Sequence, residues 1–102
     1  MAKEIILYNL AKHVTDEQYK GYATKEKGPL IESLPSVKKF ELFKITRSVS
    51  GEIPYKYMGI VDLTSLDDFL HKDTQSKKYQ DFRAKWQTMV SNFDILFGEE
   101  IY

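Results

Sequence analysis

The chain predicts an α+β domain of the split β-α-β-β-α-β order, on three observations. Apolar and aromatic runs alternate with helical patterns in the order strand, helix, hairpin, helix, strand. The strand runs carry large apolar groups on both parities, so the four-stranded antiparallel sheet they form has two apolar faces. Two helices cover only one of them.

Each element has its own signal. Ile5 to Leu10 is a β-branched and aromatic run that reads as the first strand, with Asn9 at its turning end. Thr15 and Gln18 have capping-box spacing and open a helix whose Tyr19, Tyr22, Ala23 and Glu26 fall on one side. Gly28-Pro29 interrupts the ladder and restarts a short turn with Leu30, Ile31 and Leu34, which Pro35 ends. Val37 to Arg47 alternates as a second strand, with Val37, Phe43 and Ile45 on one face and Phe40 and Leu42 on the other. Ser48 to Pro54 supplies hairpin residues, and Tyr55 to Leu63 returns as a third strand. Thr64 or Ser65 caps a second helix, with a break expected between Asp73 and Ser76 before Tyr79, Phe82, Trp86, Met89 and Val90 resume helical spacing. Phe93, Ile95 and Phe97 alternate in a closing strand.

Composition bounds the function. The 102 residues suit one domain spanning 1–102, and 42% hydrophobic content suits a packed core. Fifteen basic and fifteen acidic side chains cancel, so no field gathers nucleic acid or an anionic membrane. The absence of cysteine excludes thiolate chemistry and suits the cytoplasm, and the short apolar run after Met1 is neither a signal core nor a membrane span.

The uncovered sheet face points to self-association. With Ile5, Leu7, Tyr57, Val61 and Leu63 directed at the helices, Ile6, Tyr8, Met58 and Ile60 project from the open side, and a symmetric pair stacked through that face buries them. The first and third strands occupy the places of the ribonucleoprotein motifs in RNA-recognition domains. Their stacking positions would fall at the aliphatic Ile6, Met58 and Ile60, which favours protein burial over RNA.

Phosphate loops, dinucleotide fingerprints, nucleophile elbows and metalloprotease helices are missing from the sequence. His13, after the first strand, is the candidate general base, against the plainer reading of an exposed loop histidine. A metal would need His13 and His71 to converge with carboxylates such as Asp16 or Asp67, and no metal site is expected; Asp67-Asp68 and Glu99-Glu100 diverge as sequence neighbours. Tyr8, Tyr19, Tyr22, Tyr57, Phe82 and Trp86 suit either a ring-lined cavity for a flat apolar ligand or simple core packing. From that group Tyr8, Tyr22 and Trp86 are taken as pocket residues. Arg47 is a candidate anchor for a ligand carboxylate, or a hairpin partner of Glu41 or Glu52.

The Thr15 to Tyr22 helix opening (TDEQYKGY), the Gly28-Pro29-Leu30 break and the second helix with Tyr79 and Trp86 resemble the ferredoxin-like dimeric α+β barrel superfamily, and within it the small REDY-like and EthD-like proteins. The resemblance implies a homodimeric barrel. The superfamily includes monooxygenases of antibiotic biosynthesis, haem-degrading enzymes, isomerases, cyclases and stress-responsive proteins, so it does not fix a function. It transfers no catalytic residue, and neither histidine has the setting of a haem ligand. The expectation is a homodimer binding a small apolar or aromatic metabolite, with no cofactor and possible monooxygenase, cyclase or isomerase chemistry. The alternative is a structural or stress-associated dimer without a site.

Overall fold

A computed structural model describes all residues 1–102. The strands are β1 (Ala2–Leu10), β2 (Val37–Lys44), β3 (Tyr57–Leu63) and β4 (Val90–Glu99), joined antiparallel in the order β2-β3-β1-β4. The helices are α1 (Asp16–Tyr22), α2 (Gly28–Glu32), α3 (Leu66–His71) and α4 (Lys77–Gln87). They lie on one face of the sheet, which gives the ferredoxin-like α+β arrangement expected from the element order.

The Thr15 capping box is formed: the Gln18 amide donates to the Thr15 hydroxyl, and the Thr15 amide donates to the Gln18 side chain. Asp16 and Glu17 add negative charge to the first turn. Gly28-Pro29 interrupts the α-helical ladder and starts a new short helix, as expected. Pro29 has no amide hydrogen for the carbonyl four residues back, and the chain accommodates it by widening into a π-helical segment, Ala23–Lys27, in which the Gly28 amide reaches the Ala23 carbonyl. The approach is close enough that a Cβ at position 28 would lie 3.0 Å from that oxygen. The expected interruption of the second helical region appears as a 3₁₀ turn at Asp73–Gln75. Buried Asp73 accepts from the Ser36 amide at 2.8 Å and ties this turn to the start of β2.

Strand parity is as expected on β3, where Tyr57, Val61 and Leu63 are buried under the helices. On β1 it is reversed: Glu4, Ile6 and Tyr8 face the helices, while Ile5 and Leu7 face outward. Both parities of Ile5 to Leu10 are apolar, so alternation alone could not choose between them. Pairing chooses, because Tyr8 opposes Tyr57, Ile6 opposes Gly59 and Glu4 opposes Val61, and directly opposed residues share a face. The open face therefore carries Ile5, Leu7, Met58 and Ile60 at its centre, with Phe43 and Leu96 exposed toward its edges.

Two clusters fill the helix side. One centres on Tyr8, Tyr19, Tyr57 and Trp86, the other on Val61, Leu63, Phe69 and Tyr79. Asn9 stays within β1 rather than turning, and holds the chain entering β3 by donating to the Pro54 carbonyl and accepting from the Lys56 amide. Ile6→Ala is expected to cost about 2–4 kcal/mol in urea denaturation, as a buried large-to-small change. Ile5→Ala, on the other face, is expected to leave the monomer's stability within about 1 kcal/mol of the parent.

Candidate functional site

The side chain that organises the interior is Lys27, only 1% exposed. It is the last residue of the π-helical segment. Its Nζ lies 2.9 Å from the Tyr19 hydroxyl and 3.2 Å from the Tyr8 hydroxyl. Four rings surround it, those of Tyr8, Trp86, Tyr19 and Phe40, with centroids 4.8 to 5.6 Å from the nitrogen. These distances fall within the reach of cation–π attraction. Burial nevertheless outweighs the charge of Glu4 and lowers the Lys27 pKa from 10.5 to about 7.

The Tyr19 hydroxyl is the hub of a polar chain. It receives the Trp86 indole N–H at 3.0 Å and lies 2.6 Å from the Tyr8 hydroxyl. A phenol offers two acceptor sites and one hydrogen. When Lys27 is an ammonium, Tyr19 accepts from Lys27 and Trp86 and must give its hydrogen to Tyr8. When Lys27 is a free amine it can accept, so Tyr19 can turn its hydrogen to Nζ and take one from Tyr8. Protonation at Lys27 thus sets the direction of the phenol chain. Burial pushes Tyr19 itself up to about 12, opposed by the bonds it accepts from Tyr8 and Trp86, and it pushes Tyr8 further up. Both phenols are neutral donors at physiological pH.

Lys27, Glu4 and Arg83 line a common cavity of about 20 Å³, enough for one water. Glu4 is 6% exposed, and burial raises its pKa to about 7, against the opposing charges of Arg83 and Lys27. No ion pair within 4.0 Å includes Lys27 or Glu4. The Nε of Arg83 is buried without a partner.

On the other side of the rings lies a cleft of about 830 Å³ between the first helical region and the β2–β3 sheet, within the range of small-molecule sites. Ala23, Pro29, Phe40, Leu42 and Tyr57 give it an apolar floor. Phe40 also faces the Lys27 amine, and the fully buried Tyr19 packs behind Tyr57 at 5.3 Å between ring centroids. At the rim the Tyr57 hydroxyl donates to Asp16 at 2.6 Å and Lys44 donates to the same carboxylate at 2.7 Å. The hydrogen bonds from Lys44 and then Tyr57 hold Asp16 below the usual carboxylate range.

The structure brings together only some of the residues singled out from the sequence. Tyr8 and Trp86 lie at the centre, though Tyr8 is inside rather than on the open face. Tyr22 packs its ring against Tyr19 but lines a separate recess beside α4, its buried hydroxyl unpaired. His13 is exposed in the turn between β1 and α1. Arg47 is exposed in the β2–β3 connection and forms no ion pair with Glu41 or Glu52; Glu41 pairs with Lys39. No three His, Asp or Glu side chains converge as a metal site, and His71 is exposed at the end of α3.

The family model described as REDY-like protein HapK matches residues 2–101. The chain belongs to this REDY-like family. HapK from Hahella chejuensis superposes with a TM-score of 0.82 at 19% identity, covering 99% of this chain and 93% of that one. A dimeric ferredoxin-like protein from Thermobifida fusca gives 0.73 at 18% identity, covering 95% and 88%. Hydroxynitrile lyase from Passiflora edulis gives 0.80 at 13% identity, covering 95% and 90%. No curated protein matches the chain in sequence. At these identities the structural likeness establishes the fold.

Lys27 and Glu4 escaped the sequence reading. Lys27 sits in the charged run Lys25-Glu26-Lys27, which reads as a solvated helix face. The usable signal was the proline two positions later, which forces the helical register to change. For Glu4 it was position, four residues before Tyr8 on the same strand face.

Burial disfavours the Lys27 ammonium, so between pH 7 and 10.5 the unfolded chain binds more protons than the native one and native stability rises with pH. Lys27→Met removes that penalty. The variant is expected to unfold at higher urea concentration than the parent at pH 6, with an advantage of about 1–3 kcal/mol that fades as pH approaches 10.5. A difference between the two proteins that does not change with pH would contradict the assignment.

Proposed function

We propose that this protein binds a small, flat, largely apolar metabolite in the cleft between its first helical region and the β2–β3 sheet. The observation that carries the reading is the layer behind the cleft: Phe40 and Tyr57 line a ligand-sized space, and the fully buried Tyr19, whose hydroxyl bonds to a buried amine, packs against Tyr57 from inside. A purely structural dimer has no need of an unneutralised lysine in its core, because an aliphatic side chain would fill the space at lower cost. The rings of Phe40 and Tyr57 suit an aromatic or conjugated ligand, and the Asp16–Lys44 pair at the rim offers a polar end to orient it. Catalysis at this site would be proton transfer without a cofactor, of the kind that underlies isomerisation or cyclisation, with Tyr19 and Lys27 as acid and base. The role first sought at His13 passes to these two residues. The similarity to a hydroxynitrile lyase is consistent with a REDY-like fold supporting chemistry on small molecules.

We also propose a homodimer joined through the open sheet face. Support comes from the uncovered central row of Ile5, Leu7, Met58 and Ile60, from Leu96 at 51% exposure, and from the dimeric Thermobifida fusca relative. The cytoplasm is the proposed location. No helix is long and apolar enough to cross a membrane.

The single tryptophan, Trp86, reports directly on the site. Flat aromatic probes such as naphthol are expected to quench its fluorescence saturably in the parent, and Thr24→Phe, which places a ring at the cleft from an exposed position, is expected to weaken that binding about tenfold or more. Saturable quenching unchanged by the substitution would place the ligand elsewhere. Light scattering over a dilution series is expected to give twice 12.0 kDa for the parent and a lighter species for Ile60→Asp. A parent that is monomeric at every concentration would remove the dimer.

A further inference from the structure

Lys27 is a buried amine without a carboxylate in contact; two adjacent phenol hydroxyls bond to its nitrogen, and the Glu4 carboxyl lines the same small cavity. The charged and titratable groups facing this chamber are Glu4 and Tyr8 from β1, Tyr19 from α1, and Tyr79 and Arg83 from α4. Phe40 stands between the amine and the cleft: its ring centroid lies 5.6 Å from the amine, it lines the cleft, and it is only partly buried on the edge strand β2. An amine that nucleophiles of this type require, uncharged and shielded from water, is thus held one ring's thickness behind a ligand-sized cleft.

We propose that Lys27 captures a carbonyl group, condensing with a flat, largely apolar aldehyde or ketone from the cleft to form an imine. The inference rests on the cleft reading above and adds the substrate class. The sequence of transfers balances without an oxidant or a cofactor. Glu4 takes a proton from the Lys27 ammonium through a water in the cavity they both line. The free amine attacks the carbonyl carbon, forming the C–N bond. The Tyr19 hydroxyl protonates the carbonyl oxygen and recovers a proton from the nitrogen, giving a carbinolamine. Glu4 then returns its proton to the carbinolamine hydroxyl, the C–O bond breaks and water leaves. The product is a protonated imine whose charge faces the Glu4 carboxylate.

The acid–base balance suits the first transfer, since burial brings both Lys27 and Glu4 to about 7 and a proton can pass between them at little cost. At that pH about half of Lys27 is free amine, whereas an ordinary lysine is so in roughly one molecule in three thousand.

The test uses the full chain with benzaldehyde and cinnamaldehyde as probes, trapped by sodium cyanoborohydride and located by peptide mass mapping. At pH 7 the adduct is expected at Lys27, forming at least about tenfold faster than at any exposed lysine. Lys27→Met is expected to abolish it while retaining the parent's fold by circular dichroism. Phe40→Ala is expected to speed it by opening the wall. Glu4→Gln removes the negative charge that favours the ammonium, so the pH midpoint of labelling should move toward acid. A midpoint that stays put would remove Glu4 from the reaction. Trp86 quenching by the same aldehydes without an adduct at Lys27 would overturn carbonyl capture and leave the cleft reading standing. Neither quenching nor adduct would overturn both.

Discussion

The interior of this protein depends on where one amine is kept. Lys27 bonds to the hydroxyls of Tyr8 and Tyr19 and faces four rings, at the end of the π-helical turn that the first helical region makes before Gly28 and Pro29. Pairing with β3 puts Tyr8 on the helix side of β1, within reach of the amine, where it stacks on Tyr57 at 5.5 Å and meets Trp86 edge-on at 5.2 Å. Helix register, strand parity and the packing of α4 are therefore different aspects of one constraint. Its energetic cost falls on burial of a cation, a pattern that proteins retain at sites of function more readily than in ordinary cores.

A division of labour between the two sheet faces follows. The helix side encloses the polar chain Glu4, Lys27, Tyr19 and Tyr8 and opens beside it into the cleft. The outer side is aliphatic at its centre and has no helix to cover it. A partner stacked there would stiffen β1 and β3 from behind without entering the chamber, so the proposed self-association and the proposed ligand binding would use opposite faces of the sheet. The proposed chemistry needs that stiffness, because the phenol chain works only while Tyr8 and Tyr19 stay within hydrogen-bond reach of the amine.

The sequence makes much of the frame legible. The capping box at Thr15 and Gln18, the hairpin residues between β2 and β3 and the polar break before α4 are local signals, and local signals survive folding unchanged. The parity of β1 was not local. Ile5 to Leu10 is apolar on both sides, and only its pairing with β3 decides which side is inside. The site was harder still. Histidine and arginine draw attention by chemistry, yet His13 and Arg47 lie in exposed connections, while the buried ionisable groups beside the phenols are a lysine in a charged run and a glutamate near the chain start. Nothing in local composition marks a lysine as buried; tertiary packing, together with the helical register change demanded by Pro29, puts it there.

The most direct measurement is the titration of the Lys27 side chain itself, followed by the chemical shift of its labelled Cε carbon. The account predicts a midpoint near pH 7, well apart from the exposed lysines, and a titration coupled to that of Glu4. A Lys27 midpoint above about 10, in the company of the surface lysines, would mean that the amine is solvated or stably charged, and would contradict the account.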